Sequence, residues 1–271
     1  MKFPKCWCGS EAYSVYSQFN TKLFNKGGLK IKVAKCNDCG TVRMYDNGLN
    51  KIPDYETTYY YEKISGRHLR TVSIINDYFY GNSILDIGCN TGMLLNEIQN
   101  RIPSLKRFKG VDLDSNAINI GRQKYGLDLE AIDARQLDEK FDNIVLCHTL
   151  EHVPYLRDFA VTLDRLLNPG GRIFISVPNI ESLGAKYFLR FWPALSPMYH
   201  LWYFDASSVK KYFNTMLPAY VHLKTSSYFV WKPLIFPAFY WKRIIKNDKK
   251  IGFLEQQMKG DQLDFVVSKP V

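Results

Sequence analysis

SILDIGCNTGMLLNEI, residues 83–98, is the stretch on which the fold turns. Ile84 to Ile87 is apolar enough for a buried strand, and MLLNEI opens an amphipathic helix. Between them lies Gly88-Cys89-Asn90-Thr91-Gly92. Gly88 and Gly92 permit a tight turn and a close approach of backbone to a ligand, and Asn90 is among the few other residues that tolerate positive φ. Such a loop presents a ligand to the N-terminus of the following helix. By itself a glycine-rich turn is a weak signal, because dinucleotide sites use similar ones.

Working outward, strands and helices alternate. FKGVDLD (108–114), LDLEAID (127–133), FDNIVLCH (141–148) and GRIFISVP (171–178) read as strands. SNAINIGRQKY (115–125), with Ser115 as its cap, and the stretch near 155–167 read as helices, as does SSVKKYFNTML (207–217). VHLKTSSYFV (221–230) and LDFVVSK (263–269) read as late strands. This order predicts a mostly parallel α/β sheet with helices on both faces, binding its ligand at the C-terminal ends of the strands. Asp112 then ends the second strand, where its carboxylate can accept both hydroxyls of a ribose. Asp133 ends the third, within reach of an exocyclic amine.

ILDIGCNTG (84–92), GVDLD (110–114), AIDA (131–134), FDNIVLCHTLEHV (141–153) and LNPGGRIFISVPN (167–179) resemble, in order and spacing, the motifs of class I S-adenosylmethionine-dependent methyltransferases. The resemblance implies a Rossmann-like seven-stranded methyltransferase sheet over residues 83–271. It assigns the cofactor pocket to Asp86, Gly88, Cys89, Asn90 and Gly92, the ribose to Asp112, and the adenine to Leu113, Asp133 and Ala134. Cys147 and His148 would close the pocket at the fourth strand. Many relatives carry Gly where this chain has Asn90.

Upstream, residues 1–48 form a unit of short β-branched stretches, and 49–82 a helical link in which Leu69, Val72, Ile75 and Phe79 recur at helical spacing. Cys6, Cys8, Cys36 and Cys39 crowd the first unit. Cys36-Asn37-Asp38-Cys39-Gly40 is a metal knuckle whose glycine permits the turn; Cys6-Trp7-Cys8 is a tighter second half. Four thiolates can surround a structural zinc ion with no coordination position left open for chemistry. The bland alternative is four reduced, buried cysteines. A zinc-ribbon head on a methyltransferase core resembles enzymes of surface-polysaccharide and antibiotic pathways, which implies O-methylation of a sugar or glycan.

A base that removes the acceptor proton assists methyl transfer to a hydroxyl. His148, His152 and His200 are the candidates, with Tyr203 a weaker one. His148 and His152 follow the fourth strand at the mouth where cofactor and acceptor meet. Glu151-His152 is also a frequent pair in the family that orders this loop, and a loop histidine is more often structural than catalytic. His200 stands in YHLWYF (199–204), where relatives place a lid over the acceptor.

The chain carries 36 Lys+Arg against 26 Asp+Glu, a net +10, and is 46% hydrophobic, which excludes a disordered polypeptide. The basic excess lies in the flanks; on charge alone it reads first as a solvated Lys-rich surface, and it also suits an anionic or lipid-linked acceptor or, in a second reading, an RNA or DNA substrate. Against nucleic acid, Cys147-His148-Thr149-Leu150 stands where base-amine methyltransferases carry an acid or Asn, two prolines and an aromatic. A catalytically silent cofactor-binding adaptor is a third reading. The apolar run Tyr228–Trp241 is broken by Lys232, Pro233 and Pro237 and is too short to span a bilayer; its aromatic and basic residues suit peripheral membrane contact. No leader is read at the N-terminus, which with the clustered cysteines predicts a cytoplasmic protein.

Overall fold

The computed structural model describes residues 5–20, 30–46, 64–189, 192–196, 199–229 and 256–271. At its centre is β4 (Ser83–Ile87), buried along its whole length. Parallel to it lie β5 (Arg107–Val111) and the two-residue β6 (Leu129–Glu130) on one side, and β7 (Phe141–Cys147) and β8 (Leu167–Pro178) on the other. β11 (Gln262–Ser268) then pairs antiparallel with β8, and β10 (Val221–Tyr228) antiparallel with β11. The seven-stranded order is β10-β11-β8-β7-β4-β5-β6.

A strand covered on both faces must be apolar on both, which explains why Ile84, Leu85 and Ile87 follow one another without alternation. On one face α1 (Gly66–Tyr78), α2 (Met93–Arg101) and α3 (Ser115–Tyr125) bury Ile75, Leu95 and Ile118 against Val145, Phe174 and Val266. On the other, α4 (Leu156–Leu166) and α6 (Ala206–Met216), separated in the chain by the short α5 (Leu183–Phe188), bury Leu163 and Phe213 against Ile144, Ile175 and Phe265. The expected methyltransferase-type sheet with helices on both faces is therefore present.

Local details depart from expectation. The cap of α3 is Asp114, not Ser115: its carboxylate accepts from the Asn116 and Ala117 amides at 2.9 and 3.1 Å. A carboxylate at that position also meets the positive end of the helix dipole. The third strand stops at Glu130, and Asp133 caps a single 3-10 turn, Ala134–Gln136. In α1, Val72 and Ile75 are buried as expected, whereas Leu69 is exposed.

The N-terminal strands β1 (Tyr13–Asn20), β2 (Lys30–Cys36) and β3 (Val42–Asp46) form an antiparallel meander. Its fourth strand, β9 (Trp202–Tyr203), comes from the distant part of the chain and pairs Val42 with Tyr203. Trp7 stacks edge-on against Tyr212 of α6 at 5.3 Å, and Arg157 of α4 donates to the Trp7 carbonyl. No described helix is long and apolar enough to cross a membrane. Of the aromatic and basic segment proposed for membrane contact, Tyr228 is buried at the end of β10, and its residues from 230 onward lie outside the described residues.

Candidate functional site

The loop after β4 has the backbone its sequence demands. Gly88, Asn90 and Gly92 all adopt positive φ, at 77°, 51° and 72°. A Cβ on Gly88 would come within 2.5 Å of Thr149 Oγ1, which itself donates to the Ile87 carbonyl at 2.7 Å. Glycine is thus required there by conformation and by space. Asp86, Gly88, Cys89 and Asn90 line a pocket with Cys147 and His148. The buried Asn90 Oδ1 and Thr91 Oγ1 of this loop have no hydrogen-bond partner among the described residues. Asp86 is almost wholly buried, and burial, reinforced by the nearby Asp112 charge, pushes its carboxyl up to about 7.

At the end of β5, the Asp112 carboxylate accepts from the Asn90 amide at 2.8 Å and from the Asp114 amide at 2.9 Å. It ties the glycine loop to the neighbouring strand end and, with four lone-pair sites, keeps acceptor capacity for a ligand. Leu113 beside it is half exposed, as a surface meant to cover a flat ring would be. Ala134 is buried, and Asp133 is held by Arg135 in a two-pronged ion pair at 3.0 and 2.6 Å.

His148 follows β7 with φ 58°, a conformation uncommon outside glycine, and its amide donates to the Ser176 carbonyl at 2.8 Å. Its Nδ1 lies 3.2 Å from Glu151 Oε1, and its buried Nε2 has no partner among the described residues. Glu151 is itself buried. Burial pushes its carboxyl up, but the His148 hydrogen bond and the charges of His148, His152 and His200 outweigh this and hold it at about 2. An ionised carboxylate only accepts, so Nδ1 of His148 is the donor, and a neutral ring then carries its lone pair on Nε2. That is the arrangement of a base oriented by a carboxylate.

The other two histidine candidates are not among the residues lining this pocket. His152 Nδ1 is 2.9 Å from the Tyr199 carbonyl, and its ring meets that of His200 edge-on at 4.7 Å. Burial depresses His200 to about 3. Glu151, His152 and His200 also bring their donor atoms within 4.8 Å of one another, a spacing compatible with a metal ion. The Tyr203 hydroxyl is directed at Met44 Sδ, 3.3 Å away. YHLWYF thus forms part of the seam with the N-terminal sheet. Two residues escaped the sequence reading: Glu151 as the partner of His148, and His68 of α1, which also lines the pocket. Burial depresses His68 to about 4. Its only sequence signal was a buried-face position in α1.

Asp264 on β11, also buried, is raised by burial to about 7, with Ser176 and Arg70 pulling the other way. Between pH 4 and 7 the folded protein keeps a proton there that the unfolded chain releases near 3.8. Stability from this group therefore falls as pH rises, by about 1.4 kcal/mol per unit. Asp264→Asn should raise Tm at pH 8 more than at pH 4; equal shifts in calorimetry at both pH values would contradict the assignment.

The four N-terminal cysteines come together. Sγ–Sγ distances are 3.6 Å for Cys6–Cys39 and 3.6 Å for Cys8–Cys36, and all four lie within 4.8 Å of one another. A tetrahedral zinc site with bonds of about 2.3 Å has edges of about 3.8 Å, so this set is of the right size. Gly9 and Gly40 close the two turns in positive φ, each amide donating to the carbonyl of its knuckle's first cysteine at 2.9 and 3.0 Å.

A family model described as a methyltransferase domain matches residues 59–216. Among curated proteins, the ubiquinone biosynthesis O-methyltransferase of Nitrosococcus oceani is 32% identical over 136 residues, covering 44% of this chain and 56% of that protein. The enzyme of the same name from Pseudomonas aeruginosa strain LESB58 is 30% identical over 129 residues, covering 42% and 54%. The chain spans about half the length of the curated relatives it matches. Two solved structures share the fold. They are an S-adenosylmethionine-dependent methyltransferase from Archaeoglobus fulgidus (TM-score 0.51, 17% identity, 75% of this chain and 94% of that one) and the plantazolicin methyltransferase BpumL (0.52, 14%, 76% and 85%). The relatives' small-molecule pathway overturns the expectation of a sugar or glycan acceptor and favours neither the nucleic-acid nor the silent-adaptor alternative. That expectation rested on the cysteine cluster and the basic flanks.

Proposed function

The chain belongs to the methyltransferase-domain family matched over residues 59–216, and from that premise we propose that it is an S-adenosylmethionine-dependent O-methyltransferase of a small hydroxylated molecule. The observation that carries this reading is His148, oriented by Glu151 through Nδ1, with Nε2 unpartnered at the wall of the pocket formed by the glycine loop. The names of the curated relatives and of the solved neighbours support the chemistry.

The pocket residues fit the cofactor. The glycine loop offers close backbone approach, Asn90 and Thr91 offer unpartnered polar atoms, and Asp112 can accept from ribose hydroxyls. Asp86 would face the cationic end of the methionine moiety, and Leu113, Asp133 and Ala134 would border the adenine. Cys89 and Cys147 line the same pocket, and Gly92, outside its lining, closes the turn with positive φ. When bound, S-adenosylmethionine supplies an electrophilic methyl group. His148 takes the acceptor hydroxyl proton on Nε2, and the buried Glu151 carboxylate stabilises the imidazolium that results. Titration calorimetry should detect S-adenosylmethionine binding, and labelled methyl should pass to a diphenol such as catechol; absence of cofactor binding would end this reading.

The cysteine cluster supports a structural zinc ion held by Cys6, Cys8, Cys36 and Cys39. Purified protein should contain close to one zinc per chain, and Cys39→Ser should lose it while cofactor binding persists. Metal-free protein from zinc-replete medium, with four titratable thiols, would refute the site.

A further inference from the structure

The turn that follows His148 cannot hold itself. It is a single 3-10 turn, Leu150–His152, and so short a turn leaves most of its carbonyls to outside donors. Two of these come from one segment: the Leu201 amide donates to the Glu151 carbonyl at 2.9 Å, and the buried Trp202 indole Nε1 to the Val153 carbonyl at 2.8 Å. That segment runs into β9, and two residues make no strand without a partner. The partner is β3 of the cysteine head. Arg43 pairs with Trp202 and sets its guanidinium 4.6 Å from the centre of the Trp202 ring, Val42 pairs with Tyr203, and the Met44 amide donates to the Leu201 carbonyl at 3.3 Å.

β3 in turn starts from the cysteine cluster. Thr41, wholly buried, stands between Cys39 and Val42. Its Oγ1 lies 3.3 Å from Cys39 Sγ and accepts from Trp7 Nε1 at 2.9 Å, and its carbonyl accepts from the Cys36 amide at 3.0 Å. A second arm from the same cluster reaches the start of α4. Trp7, between Cys6 and Cys8, packs on Tyr212, whose hydroxyl donates to the Leu156 carbonyl at 2.7 Å, and the Trp7 carbonyl accepts from Arg157. The segment carrying Glu151 is thus held at 151–153 and again at 156–157 by contacts that lead back to the four thiols. A small meander of this kind depends on a metal or another staple to keep its shape.

We propose that the cysteine head is a brace for the His148–Glu151 pair, with Trp202 as its positioning residue: metal held by Cys6, Cys8, Cys36 and Cys39 fixes β3, β3 fixes β9, and β9 fixes the turn from which Glu151 orients His148. Its effect on catalysis rests on the methyltransferase reading above. The path runs through the Leu201 backbone and the Trp202 indole, not through the His200 ring. The glycine loop is tied instead to Asp112 at the end of β5, and meets this segment at Thr149, before the turn begins. Loss of the metal therefore slows proton removal from the acceptor and leaves cofactor binding in place. Metal supply to the head sets the activity of a protein that still carries its cofactor.

The test follows amide hydrogen exchange in the full chain saturated with S-adenosylhomocysteine, comparing the wild type with Cys39→Ser and Trp202→Phe. In Cys39→Ser, exchange at the His152, Val153 and Leu201 amides should speed up by about tenfold, with Ile84–Ile87 and S-adenosylhomocysteine affinity unchanged. Trp202→Phe keeps the cysteines and removes one donor, and should speed His152 and Val153 by about threefold; it decides the matter if Cys39→Ser also loosens β4. With catechol as acceptor, each variant should lower kcat by about tenfold. That loss should vanish in a Glu151→Gln background, where no carboxylate remains to be set, whereas a general loss of packing would add to it. Should catechol not be methylated, exchange alone decides. Equal exchange at these amides in the wild type and both variants, or additive kcat losses, would overturn the brace. Failure of the wild type to bind S-adenosylhomocysteine would overturn the methyltransferase reading and the catalytic role of the brace with it.

Discussion

Replacing His148 with alanine should lower kcat by about 10²–10⁴, the usual contribution of a positioned general base. Affinity for S-adenosylmethionine should stay nearly constant, because the ring lies at the acceptor side of the pocket wall. The loss should fall on kcat and kcat/KM together, as expected for an interaction made only in the transition state. Glu151→Gln tests the same dyad one atom further back. The amide can still hydrogen-bond to Nδ1 but cannot stabilise an imidazolium, so the acid limb of the pH–rate profile should move, a change that loss of packing alone would not produce. His200→Ala is the matched control: burial keeps this ring neutral and it lies outside the pocket lining, so its kcat should be near that of wild type. If His148→Ala retains full kcat, histidine base catalysis is wrong and positioning alone carries the reaction.

Asp112→Ala should weaken S-adenosylmethionine by about 2–4 kcal/mol, a factor of roughly 30 to 1,000, through loss of two charge-assisted hydrogen bonds to the ribose. Part of that loss is indirect, because Asp112 also accepts from the Asn90 amide and so helps hold the glycine loop. Asp112→Asn separates the two contributions: it keeps one acceptor oxygen and should recover part of the affinity. Calorimetry showing unchanged cofactor binding in Asp112→Ala would remove the ribose assignment.

Local regularities in the chain were enough for the parallel core. The run Ile84–Ile87, apolar but for Asp86, and the run Ile144–Leu146 read as strands covered on both faces, and Gly88, Asn90 and Gly92 between strand and helix read as a loop able to take left-handed backbone. The paired cysteines likewise foretold their own cluster, because knuckle spacing and the glycines that close each turn are properties of short segments. What escaped was whatever depends on partners far apart in sequence. The fourth strand of the N-terminal sheet is two residues long and has no period to read; Val42 and Tyr203 find one another only once the two sheets are in place. The α3 cap went to Asp114 because its carboxylate reaches two amides, a matter of geometry that neighbouring Ser115 could equally have claimed on composition.

The sequence by itself therefore determined the doubly covered sheet, the cofactor loop and the cysteine cluster, since each is encoded within a few consecutive residues by periodicity, backbone freedom or ligand spacing. Position directly after the fourth strand already ranks His148 first among the histidines, and what the tertiary structure adds is the surroundings of each imidazole. Burial neutralises His200, a turn with positive φ sets His148 at the pocket wall, and the ionised Glu151 turns its Nδ1 inward. The row Ser226, Asp264, Ser176 and Cys147 across four strands was equally illegible, because these residues become neighbours only through strand register, which no local stretch of the chain specifies.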